Sequence, residues 1–295
     1  MNNRENVLEL VAVSKIYSGR PVLDRLDLAI PAGSVVGLLG KNGAGKTTLI
    51  RCALGLAKPE HGTATILGET AWNLSASAKE HIGYVPQTPQ LYPWMRVRHI
   101  IDYVGSFYRR WNRALVDQLA RDWKIPLAQR AGTLSVGELQ KLAIVLALGH
   151  EPDFLVLDEP VAALDPAARR EFLKVVLEIA AGGSRSVLFS THITSDLERV
   201  ADRVAILQSG AISFFGELGE LKDRIKRLRL VSTNTFPEAF DLPGILRQRI
   251  DGNEALLTTR EITAELVERI ESQWHATVEI QDLNLEEIFL ELHDE

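Results

Sequence analysis

The sequence predicts an α/β fold organised around a mainly parallel β-sheet, and two observations support this prediction. Continuous apolar runs at 34–39, 154–157 and 187–190 have the composition of strands that are buried on both faces. A stretch with helical spacing at 167–181 separates the last two runs. Strands that alternate with helices imply crossover connections, and therefore parallel pairing.

The N-terminal part adds an antiparallel β subdomain to this prediction. Residues 7–13 alternate apolar and polar side chains, as in a strand with one buried face, and 27–30 look like a second strand. A helix with an apolar face is predicted at 46–56 and ends at Lys58-Pro59. A further strand is predicted at 203–207.

An inserted helical subdomain is predicted at about 89–149, because strand signals are absent there. Helical spacing takes over instead, and it is carried by Trp111, Leu115, Leu119 and Trp123. We therefore place this subdomain inside a first domain that spans 1–220.

The character of the sequence changes after 220, where we predict a small α+β domain at 221–295. A basic, helix-like segment at 222–229 leads to short strands at 229–233 and 255–259, with Asp251-Gly252 as a hairpin turn. A helix at 263–274 and a strand at 277–281 follow. Asn284 and Glu287 then open a last helix as a reciprocal cap.

Composition excludes several classes of protein. The chain has 295 residues, of which 46% are hydrophobic and 24% charged, an ordinary globular balance. Its net charge of -6 argues against a nucleic-acid partner. The single cysteine, Cys52, fits a reducing compartment, no apolar run approaches the ~18 residues of a membrane span, and 1–9 do not resemble a signal peptide. We expect a soluble, cytoplasmic protein.

A phosphate-binding loop is the strongest chemical signal. The glycines would let backbone N–H groups turn towards a phosphate, Lys46 would supply charge to the β and γ oxygens, and the Thr47 hydroxyl would ligate Mg²⁺. The motif lies between a buried strand and an amphipathic helix. It reads Gly40-Lys41-Asn42-Gly43-Ala44-Gly45-Lys46-Thr47.

A second signal is a pair of carboxylates, Asp158 and Glu159, at the end of the apolar run 154–157. Open α/β sheets bind ligands at the carboxyl ends of their strands. Ionised acids at the edge of a core need a positive partner, which Mg²⁺ would provide for Asp158. Glu159 is then placed to polarise an attacking water.

A third motif identifies a family. The segment Leu134-Ser135-Val136-Gly137-Glu138-Leu139-Gln140-Lys141 resembles the signature motif of the ABC-type ATPases, and the resemblance covers about 7–220. The other motifs of that family follow the same order. They are Gln87 after Tyr84-Val85-Pro86, Asp165 after Ala163-Leu164, and His192 after Phe189-Ser190-Thr191.

The resemblance implies a role for each matching residue. Tyr17 would stack on adenine, Gln87 would contact Mg²⁺ or the water, and His192 would contact the γ-phosphate. Asp165 would help communication across a dimer. Together with Tyr17 and Asp165, the implied nucleotide contacts are Gly40, Asn42, Gly43, Ala44, Gly45, Lys46, Thr47, Thr48, Ser135 and Gly137. The implied catalytic residues are Glu159, His192, Lys46 and Gln87, and the implied Mg²⁺ ligands are Thr47, Gln87 and Asp158.

The signature departs from the family pattern at two positions. Val136 replaces its first glycine and Glu138 replaces its glutamine, whereas Ser135 and Gly137 are retained. Ser135 and Gly137 would offer a hydroxyl and an N–H to the γ-phosphate. An acid at Glu138 adds negative charge beside a polyanion, so we expect either slow hydrolysis or an altered local geometry of the signature.

The resemblance also implies partners. Loop and signature face each other across a two-fold interface in this family, so the chain would form a homodimer or a heterodimer around two Mg-ATP. The apolar segment 88–98, from Thr88 to Arg98, would dock an integral membrane permease and hold the chain peripherally on the inner face of the cell membrane. The C-terminal ending at 283–290 looks like that of ATPases serving ABC-2 exporters.

Three other readings are weighed against a transporter subunit. A soluble ABC ATPase of translation usually carries two ATPase halves and a basic linker, whereas this chain has one half and is acidic; a cluster-assembly subunit is a further soluble ATPase. A chromosome or DNA-repair ATPase would need a long heptad insertion, which is missing between the loop and the signature. A regulatory module that binds ATP with little turnover stays open because of the altered signature.

Overall fold

The computed structural model describes residues 5–293 of the chain, which divides into two compact units, Met1–Phe215 and Gly216–Glu295. Each unit is described by itself. The strands of the first unit are β1 (Asn6–Tyr17), β2 (Arg20–Pro31), β3 (Val35–Leu39), β4 (His61–Ile66), β5 (Glu69–Thr70), β6 (Ile82–Val85), β7 (Phe154–Asp158), β8 (Ser186–Ser190), β9 (Arg203–Gln208) and β10 (Ala211–Glu217), whose end reaches into the second unit. Its helices are α1 (Lys46–Ala53), α2 (Ala76–Lys79), α3 (Val97–Gly105), α4 (Arg113–Asp122), α5 (Val136–Leu148), α6 (Pro166–Ala181) and α7 (Thr194–Val200).

The central sheet confirms the predicted α/β fold. Its strand order is β10-β9-β3-β8-β7-β6, and the pairs from β9 to β6 are parallel. Every residue of β3, β7 and β8 is buried, as their continuous apolar composition predicted. The predicted strand at 203–207 is present as β9. These strands deliver the loops after β3, β7 and β8 to one edge of the sheet.

A separate antiparallel sheet has the strand order β2-β1-β4-β5. β1 and β2 form a long hairpin whose last pair is Tyr17 with Arg20. Ser18 and Gly19 make its two-residue turn, both with positive φ, the geometry that a tight hairpin requires. The alternation at 7–13 predicted the beginning of β1, but the predicted strand at 27–30 covers only the end of β2.

The predicted helical insertion contains α3, α4 and α5. Its periodicity was read correctly for Leu119 and Trp123, which are buried, but wrongly for Trp111, which lies in the loop before α4. The Trp111 ring instead lies against Gly149 at the end of α5, where an added Cβ would come within 2.4 Å of it. This packing depends on a distant residue, so local spacing carried no signal for it.

The second unit contains an antiparallel sheet with helices. Its elements are α8 (Leu218–Arg224), β11 (Lys226–Ser232), β12 (Ile245–Asp251), β13 (Glu254–Thr259), α9 (Ala264–Trp274), β14 (Ala276–Asp282) and α10 (Leu285–His293). The strand order is β12-β13-β11-β14, and Asp251 pairs with Glu254 across the predicted turn. Asn284 and Glu287 exchange the predicted reciprocal cap at 2.9 and 3.1 Å.

The helix prediction for 222–229 is wrong in its second half. β11 begins at Lys226, because Leu228 and Leu230 alternate into the core and Arg227 and Arg229 point to the other face. Those arginines are paired with acids, Arg227 for example with Glu287 at 3.1 Å. A run of basic residues resembles the solvated face of a helix, but in this segment buried and partly exposed side chains alternate with a period of two residues, as in a strand.

Among the residues that the structure describes, no helix combines the length and the apolar character that crossing a membrane requires.

Candidate active site

The loop after β3 is a cradle built by glycine geometry. Gly43 and Gly45 have φ of 82° and 105°, values that glycine adopts readily because it has no Cβ atom. At Gly45 an added Cβ would also lie 3.1 Å from the carbonyl oxygen of Val22 on β2. α1 then begins at Lys46, so the loop presents the free N–H groups of a helix N-terminus. This geometry suits an anion such as phosphate.

The Lys46 ammonium is held inside this cradle. Its Nζ donates to the carbonyl oxygen of Gly40 at 2.8 Å and lies 3.4 Å from Oε1 of Glu159. Both side chains are more than nine-tenths buried. Removing one member of a buried ion pair costs about 3–5 kcal/mol in typical proteins, because the other charge is left without a partner.

The two carboxylates at the end of β7 are anchored by Ser190 at the end of β8. The Ser190 hydroxyl donates to Oδ1 of Asp158 at 2.8 Å, and the backbone N–H of Glu159 donates to Oγ of Ser190 at 2.9 Å. Glu159 has φ of 48°, which is uncommon for a residue other than glycine and is a sign of backbone strain at a functional position. Ser190 was not predicted as a site residue, because only the pairing of β7 with β8 brings it beside Asp158 and Glu159.

His192 approaches Glu159 from the opposite side to Lys46. Its Nδ1 lies 2.8 Å from Oε2 of Glu159, and its ring is half exposed. The Glu159 carboxylate therefore lies between a cation and an imidazole. One oxygen contacts each of them.

The environment of Asp158 fits a divalent cation. Burial raises the pKa of Asp158, and side-chain hydrogen bonds from Ser190 and Thr47 only partly oppose this. Its Oδ2 is buried and has no hydrogen-bond partner. A carboxylate oxygen beside a hydroxyl is a typical partial ligand set for Mg²⁺, which completes its shell with phosphates and water. The residues described hold no group of three His, Cys, Asp or Glu that could bind a metal ion by themselves.

A cavity of about 210 Å³ lies at the phosphate loop, and neither Asp158 nor His192 is among the residues that line it. Gln87, two residues after β6, lines it together with the phosphate loop and Glu159. Ala44 packs partly against the hydrophobic core and anchors the loop. The lining consists of Val22, Asn42, Gly43, Gly45, Lys46, Thr47, Thr48, Gln87 and Glu159. Val22 was not foreseen.

The signature residues form a separate cluster, and Ser135 and Gly137 do not line this cavity. Ser135 caps α5, and its backbone N–H and hydroxyl both donate to Oε2 of Glu138 at 2.8 Å. These hydrogen bonds hold the pKa of Glu138 below its usual range. Gly137 packs so closely that an added Cβ would lie 2.9 Å from the carbonyl oxygen of Ala163.

Asp165 caps α6 and is joined to the signature helix. Its carboxylate accepts from the backbone N–H groups of Ala167 and Ala168 and lies 3.5 Å from Nζ of Lys141 on α5. These contacts keep the pKa of Asp165 low, the hydrogen bond from Ala168 most of all. The segment after the acidic strand is thus tied to α5.

Tyr17 stands outside the lining of the cavity, at the end of β1. Its side chain is 42% exposed, and Nζ of Lys15 lies 5.1 Å from the centre of its ring. The other strand of the same hairpin contributes Val22 to the cavity wall.

Comparison with known proteins gives a consistent family. The sequence pattern described as "ABC transporter" matches residues 23–162. An uncharacterized ABC transporter ATP-binding protein, YxlF of Bacillus subtilis, is 35% identical over 223 residues, which are 74% of this chain and 73% of YxlF. The Nod factor export ATP-binding protein I of Rhizobium meliloti is 35% identical over 69% of this chain and 62% of its own length.

A solved structure has the same fold. It is an ATP-binding cassette, described as dimeric, in a post-hydrolysis state and bound to ADP and Pi. It superimposes with a TM-score of 0.64 at 22% identity, covering 72% of this chain and 98% of that chain.

Proposed function

The chain belongs to the ABC transporter family as an ATP-binding protein, and from this premise we propose that it hydrolyses ATP, dimerises around two ATP molecules and powers a separate membrane permease. In this proposal residues 1–220 are the ATPase domain and 221–295 an accessory domain.

The observation that carries the proposal is the position of Glu159 between Lys46 and His192 at the phosphate cradle. The glycine loop binds the phosphates of ATP through its N–H groups, and Lys46 binds their β and γ oxygens. Phosphate oxygens then compete with Glu159 for the ammonium group. The released carboxylate accepts a proton from the water that attacks the γ-phosphate, and His192 donates to the γ-phosphate from the other side.

Thr47, Asp158 and Gln87 would hold Mg²⁺. When bound, the ion neutralises charge on the β and γ oxygens. The unpartnered Oδ2 of Asp158 supports this assignment, because a buried carboxylate oxygen without a donor is costly. Tyr17 would stack on the adenine.

The dimer follows from the separation of the two halves of the proposed site. Ser135 and Gly137 lie away from the cavity of their own chain, and Val136 between them is 70% exposed. A two-fold axis would bring this surface to the cradle of the partner and close two equivalent sites. The partner is a second copy or a second ATP-binding subunit. The described dimeric state of the similar cassette supports this arrangement.

The permease would dock on an exposed row of aromatic rings, which we call the aromatic row: Trp94, Tyr92, Tyr103 and Phe107. Neighbouring ring centres are 5.4, 5.8 and 5.0 Å apart, and each side chain is at least 41% exposed. Exposed apolar rings in contact mark interaction surfaces. The row begins in the segment 88–98, which leads from Gln87, so binding there could act on the cavity.

Export is the direction that the relatives support, since one of them is named as a Nod factor export protein. The ending at 283–290 resembles that of ATPases serving ABC-2 exporters. The chain would then lie in the cytoplasm, held at the inner face of the cell membrane by the permease.

Affinity purification tests the transport proposal. The Glu159→Gln variant, tagged and loaded with Mg-ATP, is recovered from detergent-solubilised host membranes, and co-eluting proteins are identified by mass spectrometry. We expect a stoichiometric multi-span membrane protein, which a second change, Trp94→Ala, releases. Trp72→Ala, at another exposed tryptophan, is the matched control. Recovery of soluble partners only, or of the ATPase alone, would favour a non-transport ABC ATPase.

One observation favours a second candidate, a regulatory module that binds ATP with little turnover. The Ser135 hydroxyl is bonded to Glu138, so it is engaged away from any phosphate. Mg²⁺-dependent hydrolysis at an ordinary rate removes this candidate.

A further inference from the structure

Lys15 and Tyr17 form a cation–aromatic pair at the end of β1. They are two residues apart on one strand, so their side chains leave the same face. The Lys15 ammonium lies 5.1 Å from the ring centre, within the range of a cation–π contact. The ring is 42% exposed, so a flat molecule can still reach its other face.

The ammonium is held by two contacts from a segment that follows α1, and a third contact from the same segment holds the backbone of Ile16. Nζ of Lys15 donates to Oε1 of Glu60 at 2.9 Å and to the carbonyl oxygen of Lys58 at 2.8 Å. The other carboxylate oxygen of Glu60 accepts from the backbone N–H of Ile16 at 2.8 Å. We call this group, Lys15, Glu60 and the Lys58 carbonyl, the clamp.

The clamp is rigid for a surface feature. The Lys15 side chain is only 12% exposed although it ends in a charge. The hydrogen bond between the two side chains raises the pKa of Lys15 and lowers the pKa of Glu60, so both are charged over the whole neutral range. The backbone of Ile16 is held by the same carboxylate, which fixes the strand on which Tyr17 stands.

The clamp also sets the ring relative to the phosphate cradle. Across the hairpin, Lys15 pairs with Leu23 and Ile16 pairs with Pro21. Val22, between these two partners, lines the phosphate cavity. The segment that supplies Glu60 continues from α1, the helix that begins in the cradle. The Tyr17 ring is thus connected to the cavity in two ways, through the β1–β2 hairpin and through the segment that follows α1.

We propose that the clamp of Lys15 and Glu60 is a base-positioning element, which holds the Tyr17 ring with one face open for the purine of a nucleotide. This rests on the proposed stacking of adenine on Tyr17. Lys15 is a positioning residue, because it acts through the ring.

Two physical effects follow from the clamp. A ring that is already immobilised loses less conformational freedom when the base binds. A cation on one face draws π-electron density towards it, which makes the other face a better partner for an electron-rich purine. A cation–π contact at an exposed site is worth about 0.5–1 kcal/mol, which corresponds to roughly a 2–5-fold change in affinity.

Comparing a ligand that has a base with one that has none isolates this effect. Calorimetric titration gives the Kd of Mg-ATP and of magnesium tripolyphosphate for the full chain and its variants. For Lys15→Met we expect about 2–5-fold weaker ATP binding and unchanged tripolyphosphate binding. Lys15→Arg should restore ATP binding. In steady state the KM for ATP rises and kcat stays constant. Lys79→Met, at an exposed lysine on α2, is the matched control.

Each other outcome is decisive. If Lys15→Met weakens the binding of ATP and of tripolyphosphate equally, Lys15 has a general structural role and the inference is overturned. If Lys15→Met leaves both Kd values unchanged while Tyr17→Ala weakens the binding of ATP alone, the positioning role of the clamp is refuted and the proposed stacking on Tyr17 stands. If Tyr17→Ala also leaves ATP binding intact, the proposed stacking itself fails.

Discussion

The ammonium of Lys46 and the carboxylate of Glu159 lie 3.4 Å apart, and both side chains are buried. They come from opposite sides of the site, one from the start of α1 and one from the end of β7. The second oxygen of Glu159 contacts His192 at 2.8 Å. Lys46 and His192, which are far apart in sequence, thus each contact one oxygen of the same carboxylate.

Glu138→Gln should raise the rate of ATP hydrolysis several-fold. The change removes a negative charge from the signature and weakens the acceptor that holds the Ser135 hydroxyl at 2.8 Å. Steady-state kcat, measured by phosphate release, checks this. An unchanged kcat would show that Glu138 does not limit turnover, and Val136→Gly serves as a separate test of the other departure.

Glu138 also makes the start of α5 sensitive to acid. Its pKa is lowered in the folded protein, first by the backbone N–H of Ser135 and then by its hydroxyl. The cap is therefore fully formed above the ordinary pKa of a glutamate, about 4.3, and is lost as the pH falls through the lower folded value. In Glu138→Gln this acid-dependent loss should be absent from unfolding curves taken between pH 5 and 3.

Gly149→Ala should destabilise the first unit by about 1–3 kcal/mol, the usual cost of overpacking. The added Cβ would lie 2.4 Å from the Trp111 ring, which stacks on Tyr108, so the ring has to move. Urea unfolding gives the change in free energy. Gly182→Ala is the matched control, since its nearest atom would be 3.6 Å away. Equal stabilities of the two variants would contradict this packing account.

His150 should make the protein less stable below neutral pH. Burial lowers the pKa of His150, although a hydrogen bond to the Ile82 carbonyl opposes this. The unfolded chain therefore binds a proton more readily than the folded one, and stability is lost as the pH falls below about 6.5. His150→Gln, which keeps an N–H donor, should flatten the unfolding free energy between pH 7 and 5. The same dependence of the unfolding free energy on pH in the unchanged protein and in His150→Gln would refute this role of His150.

Cys52 should resist thiol reagents while the protein is folded. Burial raises the pKa of Cys52 to about 11, so the reactive thiolate is scarce at pH 8. Labelling with a maleimide, followed by mass spectrometry, should show modification only after unfolding. Rapid labelling of the native protein would mean that this part of the core opens readily.

The parts of the fold that were predicted correctly are those with strong local signals. The buried strand before the loop, the acidic strand and the cap of Asn284 with Glu287 were read from a few neighbouring residues. β11 was misread because its basic residues resemble a helix face, and their acidic partners lie on other elements. Trp111 was wrongly assigned to a helix because its position depends on packing against Gly149, a residue distant in sequence.

The candidate site divides in a similar way. The phosphate loop and the pair of Asp158 and Glu159 could be found from residue types and spacing, because their chemistry is local. Ser190 and Val22 could not, since each acts through contacts that only the folded sheet brings together. Lys15 could not either, because Lys58 and Glu60, which hold it, are far from it in sequence. The roles predicted for Gln87 and His192 stay predictions: Gln87 lines the cavity, whereas His192 contacts Glu159 and does not line it.

Hydrolysis by the Glu159→Gln variant tests the central claim most directly. The change keeps the size of the side chain and removes the carboxylate that contacts Lys46 and His192. We predict a kcat lower by roughly 10²–10⁴ with ATP affinity retained, because a general base usually contributes a factor of this size. Phosphate release and calorimetric titration on the same preparation give both numbers. A kcat near that of the unchanged protein would contradict the assignment of Glu159 as the group that activates water.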